Sequence, residues 1–110
     1  MLNEYSPFLA KQCEAAVQEL YDAIINNIQA HFQGRQVPET LNPLSGAALL
    51  ENPLYLESCD LIADAVANLT AAERFAIRCH SIEIGAGDPD DAAISTQLMD
   101  LWLAFLSDQK

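Results

Sequence analysis

From Pro7 to Gln33 the chain reads PFLAKQCEAAVQELYDAIINNIQAHFQ. Leu9, Cys13, Val17, Leu20, Ile24, Ile28 and His31 recur in it at helical spacing, which keeps one face of a helix inward. Phe8, Tyr21, Ile25 and Phe32 lie beside that stripe and widen the apolar arc, so this helix should touch more than two neighbours. At about 1.5 Å per residue it would be roughly 40 Å long, against a radius of gyration of about 13 Å for a compact domain of this size. Part of it could project and pair with a second copy. Gly34 follows immediately and suits the left-handed position that ends a helix.

Working outward, helix starts recur. Ser6-Pro7, Asn42-Pro43, Asn52-Pro53 and Asp88-Pro89 each place a good N-cap before a proline, and at the first helical position proline's missing N–H costs nothing. Thr70-Ala-Ala-Glu73 has the spacing of a capping box. After the linker Gly34–Thr40, these signals predict a short helix over Pro43–Glu51, weakened by Gly46, and a longer one from Pro53 to Leu69 with the stripe Tyr55, Cys59, Ile62, Val66 and Leu69. The next should run from Ala71 to Ile84 and bury Phe75, Cys79 and Ile82, with Gly85 as its stop. The last should run from Pro89 to Ser107 on Ile94, Leu98, Leu101, Trp102, Phe105 and Leu106. Strand patterns are nearly absent. The expected fold is all-α: a compact bundle of about five helices with a long N-terminal helix, residues 1–110 forming one acidic domain.

Composition agrees. The 110 residues are 51% hydrophobic, enough for a core, and carry 5 Lys+Arg against 16 Asp+Glu, a formal charge of −11. Such a surface repels phosphate, which disfavours direct contact with nucleic acid or an anionic membrane and favours a basic protein surface. No apolar run approaches the roughly 20 residues of a membrane span. The segment Met1–Pro7 has neither a basic nor an apolar region of a signal peptide, so the expected location is cytoplasmic.

Little in the sequence speaks for chemistry. Cys13, Cys59 and Cys79 are odd in number, lack CxxC spacing and fall on apolar stripes, which reads as small buried hydrophobes rather than disulfides or zinc ligands. Cys79 and His80 are adjacent and diverge by about 100° on a helix, and His80 with Glu83 has the wrong order for a bundle di-metal motif. Gly85-Ala-Gly87-Asp88-Pro89 lacks the lysine and spacing of a phosphate loop. No cofactor, metal site or catalytic residue is expected, and the chain reads as a non-enzyme.

The acidic pattern is the feature that asks for an explanation. No Lys or Arg occurs from Gln36 to Glu73 or from Cys79 to Gln109. Glu57, Asp60 and Asp64 stand at i, i+3 and i+7, a row of carboxylates opposite the Tyr55/Cys59/Ile62 stripe with neighbours about 5–6 Å apart at Cβ. That spacing is close to the spacing of phosphates on a strand. Asp88, Asp90 and Asp91 form a second cluster, which a cap and two first-turn acids would also explain. Arg74 and Arg78, at i and i+4, should pair with acids such as Glu73 or with a neighbouring helix.

In size, acidity and helical content the chain is similar, at the level of class, to small acidic inhibitors: anti-CRISPR and other DNA-mimic proteins, and helical immunity proteins. No motif carries that likeness, and it assigns no residue. The leading expectation is an inhibitor that blocks a basic, nucleic-acid-handling partner such as a nuclease, a CRISPR effector subunit or a toxin. Glu57, Asp60 and Asp64 would carry it first, and Asp88, Asp90 and Asp91 second. The alternative is a structural or adaptor module that acts through homo- or hetero-oligomerisation, a homodimer for instance. Phe8, Tyr21, Ile25, Phe32, Trp102 and Leu106 would then form the interface.

Overall fold

The computed structural model describes the backbone from Pro7 to Asp108 and the side chains from Cys13 to Asp108. Ser6 and the side chains of Phe8 and Leu9 lie outside the described residues. Six α-helices and no strand occur among those described: α1 (Pro7–His31), α2 (Val37–Leu41), α3 (Gly46–Leu50), α4 (Pro53–Ala67), α5 (Ala71–Glu83) and α6 (Asp91–Ser107). α1 packs chiefly on α5 and also meets α4 and α6, while α6 packs on α4 and α2. The molecule is elongated, 51 × 24 × 23 Å.

Local chemistry sets most of the boundaries. α1 ends at His31, just before Gly34 takes φ +84°, open to glycine at no steric cost, and Phe32 is buried. α4 starts where Asn52 accepts a bond from the Leu54 amide at 2.9 Å, with Pro53 in the first turn. The capping box of α5 is complete, with Glu73 N donating to Thr70 Oγ1 at 3.1 Å and Thr70 N to Glu73 Oε1 at 2.8 Å.

Three boundaries differ from expectation. The linker after Gly34 contains a helix, α2, because Val37 and Leu41, one turn apart, are both almost wholly buried. Asn42 follows α2 rather than capping a helix at Pro43, and its amide nitrogen instead donates to Leu106 O at 2.8 Å, satisfying one of the last carbonyls of α6. α6 begins at Asp91, capped by Asp90, whose carboxylate accepts from the Ala93 amide at 2.8 Å. Asp88 is thus not the cap.

The core runs along α1, with Val17, Tyr21, Ile24, Ile25, Ile28 and Phe32 all buried against α4, α5 and α6. At one end of the bundle Trp102 lies between Phe32 and Phe105, its ring centroid 5.9 and 5.8 Å from theirs in near-parallel stacks. Its indole N–H donates to Ser58 Oγ at 2.9 Å, and Ser58 donates to Leu54 O at 2.8 Å. The only buried polar side chains of the described core, Ser58 and Ser81, are therefore both hydrogen-bonded, Ser81 to Gly87 O at 2.5 Å.

The rotation of α5 is the largest departure from the sequence reading. Ile77 and Ser81 are buried, whereas Phe75 and Ile82 are 66% and 46% exposed and Cys79 is half-buried. Arg74, Arg78 and Ser81 lie on one side of this helix, and all three bind the chain around them. Arg74 reaches Asp91 at 2.6 Å and Val66 O at 2.7 Å, Arg78 reaches Asp88 at 3.3 Å, and Ser81 holds Gly87. These contacts turn the Phe75/Ile82 side to solvent. Two smaller corrections are of the same kind: Leu101 is 43% exposed on α6 while Met99 is buried, and His31 is exposed.

Candidate protein-binding surface

Of the two acidic groups expected to meet a partner, the structure leaves one pair uncompensated. Glu57 is half-buried, and its carboxylate accepts from Arg35 Nη1 at 3.0 Å, Arg35 Nη2 at 3.1 Å and His31 Nε2 at 2.7 Å. The forked Arg35 guanidinium, with His31 second, holds the Glu57 carboxyl below the usual carboxylate range. Arg35 is itself placed by the Gly34 turn and lies 5.0 Å from the centroid of the Phe32 ring. Glu57 therefore belongs to an internal clamp between the end of α1 and α4. Asp60 and Asp64, one turn apart on α4, are exposed, and no ion pair among the described residues reaches them.

The second acidic group is tied up. Asp88 pairs with Arg78, Asp91 with Arg74, and Asp90 caps α6. Arg74 and Arg78 thus meet acids at the start of the following helix, not Glu73. Every arginine among the described residues is consumed in an intramolecular ion pair. Exposed pairs of this kind contribute about 0–1 kcal/mol each, so their main effect is on the charge map: each offsets an exposed arginine with a neighbouring carboxylate. Among the described residues, Glu39, Glu51, Asp60, Asp64 and Asp100 are all exposed and in no ion pair.

The apolar residues expected at an oligomer interface are elsewhere. Tyr21, Ile25, Phe32, Trp102 and Leu106 are buried in the chain's own core. The arcs of α1 and α6 are wide because each of these helices has several neighbours in the same chain. Phe8 falls outside the described side chains.

The three cysteines are free and half-buried rather than buried. Burial raises the thiols of Cys13 and Cys59 above their ordinary range, and Cys79 adds to the rise at Cys13, the direction opposite to that of a nucleophilic thiolate. Burial likewise raises the Tyr21 phenol, which donates to Gln97 Oε1 at 3.0 Å. No group of three His, Cys, Asp or Glu side chains among the described residues is gathered as for a metal ion. No helix among them is long and apolar enough to cross a membrane.

Compared with protein-family models, curated proteins and solved structures, the chain matches none. The site stands on its own geometry. Sequence reading missed an apolar groove where α1, α5 and α6 meet. The only signals for it were Leu101 on α6 and Ile84 at the end of α5, large aliphatic residues that stand at the surface.

Proposed function

We propose that this protein is a non-enzymatic acidic inhibitor that docks on the basic surface of a nucleic-acid-handling protein, such as a nuclease, a CRISPR effector subunit or a toxin, and blocks it. The observation that carries this reading is the internal pairing of Arg35, Arg74 and Arg78 in a chain of net charge −11, which leaves exposed acids such as Asp60 and Asp64 without a counter-ion among the described residues. Asp60 and Asp64 are the first residues of the binding surface, while Glu57 is engaged in the clamp with Arg35 and His31.

The mechanism is competition for Lys and Arg side chains that otherwise hold phosphate, with long-range attraction speeding the encounter. Magnitude limits the likeness to DNA. Eleven net charges on a 51 Å long axis give roughly a third of the linear density of duplex DNA, which carries one charge per about 1.7 Å. The surface thus imitates a short stretch of backbone, not a whole duplex.

The test is affinity capture from a nuclease-treated host lysate, washed at low and at high salt, followed by nucleic-acid binding assays on whatever is captured. The expected result is a basic protein that is shed as salt rises and releases its nucleic acid when this protein is added. Asp60→Lys with Asp64→Lys should weaken that effect by about tenfold or more while leaving the helical circular-dichroism signal intact. A captured partner that keeps its nucleic acid, or an unchanged effect of the double variant, would refute the reading.

A further inference from the structure

We infer that the groove between α1, α5 and α6 receives an apolar side chain from a cationic amphipathic helix of the partner. This rests on the proposed function and gives the partner's recognition element its chemistry. The groove encloses about 440 Å³, within the range of sites that hold small ligands or anchoring side chains, about 300–1,000 Å³. Its floor is buried Val17, Tyr21 and Ile77, and its lips are Ile84, 63% exposed, and Leu101, 43% exposed. The Tyr21–Gln97 bond ties α1 to α6 across the floor, so the depression is fixed by the fold. An apolar pocket with aliphatic lips inside a polar rim is the arrangement that anchors a protein interface.

Charge decides the occupant. Asp22 and His80 line the groove and no Lys or Arg does, in a chain of net charge −11. A second copy would bring another −11 to the same place, and an anionic ligand would meet Asp22. A helix with leucines on one face and lysines beside them matches both the apolar floor and Asp22 within a strongly acidic chain.

The experiment titrates the full chain, at one fixed moderate salt concentration, with three labelled peptides: an amphipathic Leu/Lys helix, a shorter oligolysine of the same charge and a Leu/Glu helix of the same length as the first. The Leu/Lys helix should bind at least about tenfold more tightly than oligolysine, the effect of one anchoring side chain, and the Leu/Glu helix should bind least. Ile84→Ser with Leu101→Ser, both at exposed positions, should bring the Leu/Lys helix to the oligolysine level and leave oligolysine unchanged. Leu101→Ser alone should do so in part and serves if the double variant loses its helical signal. Equal binding of the two cationic peptides, unaffected by these variants, would overturn the groove and leave the acidic-surface reading standing. Failure of oligolysine to bind, there or when the salt is lowered, would count against that reading as well. Equal binding of the Leu/Glu helix, or a peptide-free dimer that the variants abolish, would assign the groove to another occupant.

Discussion

Trp102 brings one polar atom, its indole N–H, into an otherwise apolar end of the core, and Ser58 answers it. The pairing is one-sided in its consequences. Removing the acceptor leaves a buried donor unsatisfied, at about 1–3 kcal/mol, whereas alanine in place of serine on a helix gains only about 0.5 kcal/mol in propensity. Ser58→Ala should therefore destabilise the protein by about 1–2 kcal/mol, read as a lower urea midpoint in the fluorescence of Trp102, the only tryptophan of the chain. An unchanged midpoint would mean that the indole N–H does not depend on Ser58. None of this was legible beforehand, since a serine at the margin of the Tyr55/Cys59/Ile62 stripe gives no sign of a partner 44 residues away. Glu57 was misjudged for the same reason. Its place in a carboxylate row is local information, but its neutralisation comes from Arg35, which reaches it only because α1 ends where it does.

At the scale of the helices, what depended on neighbouring residues could be read and what depended on distant ones could not. Asn52, Thr70 with Glu73, Gly34 and Gly85 act where their residue types indicated. Asp88 and Asp90 compete for one role with the same side chain, two residues apart, and the choice falls to Asp90 while Arg78 engages Asp88. Asp90→Ala should then cost about 1 kcal/mol, the typical loss of an N-cap, and Asp88→Ala no more than a few tenths, as for an exposed ion pair. Thermal unfolding of the two variants checks this, and equal losses would place the cap wrongly. The face of α5 was inverted in the sequence reading because Phe75, Cys79 and Ile82 outweigh Ile77 in apolar content. Two arginines and a serine, each with a partner beyond the helix, overrode that pattern.

For the whole molecule, the all-α class followed from cap chemistry and helical periodicity, and the acidity from simple counting. The width of the apolar arcs on α1 and α6 was also correct, but width does not say whose surface covers them. The fold covers them itself, with α2 closing over the end of α6 that the sequence left beside a linker. That reassignment turns attention from self-association to the charged exterior. It also leaves a mechanical asymmetry: α4 and α6 each have several neighbours, while α5 leans chiefly on α1. A helix held from one side can open without the rest, so the amides of α5 should exchange with solvent deuterium through a sub-global opening, faster than those of α4 and α6, which await global unfolding. Uniform exchange across the three helices would contradict this. Because α5 also supplies one wall of the groove, an occupant that grips Ile84 would slow that exchange, making α5 the reporter of binding.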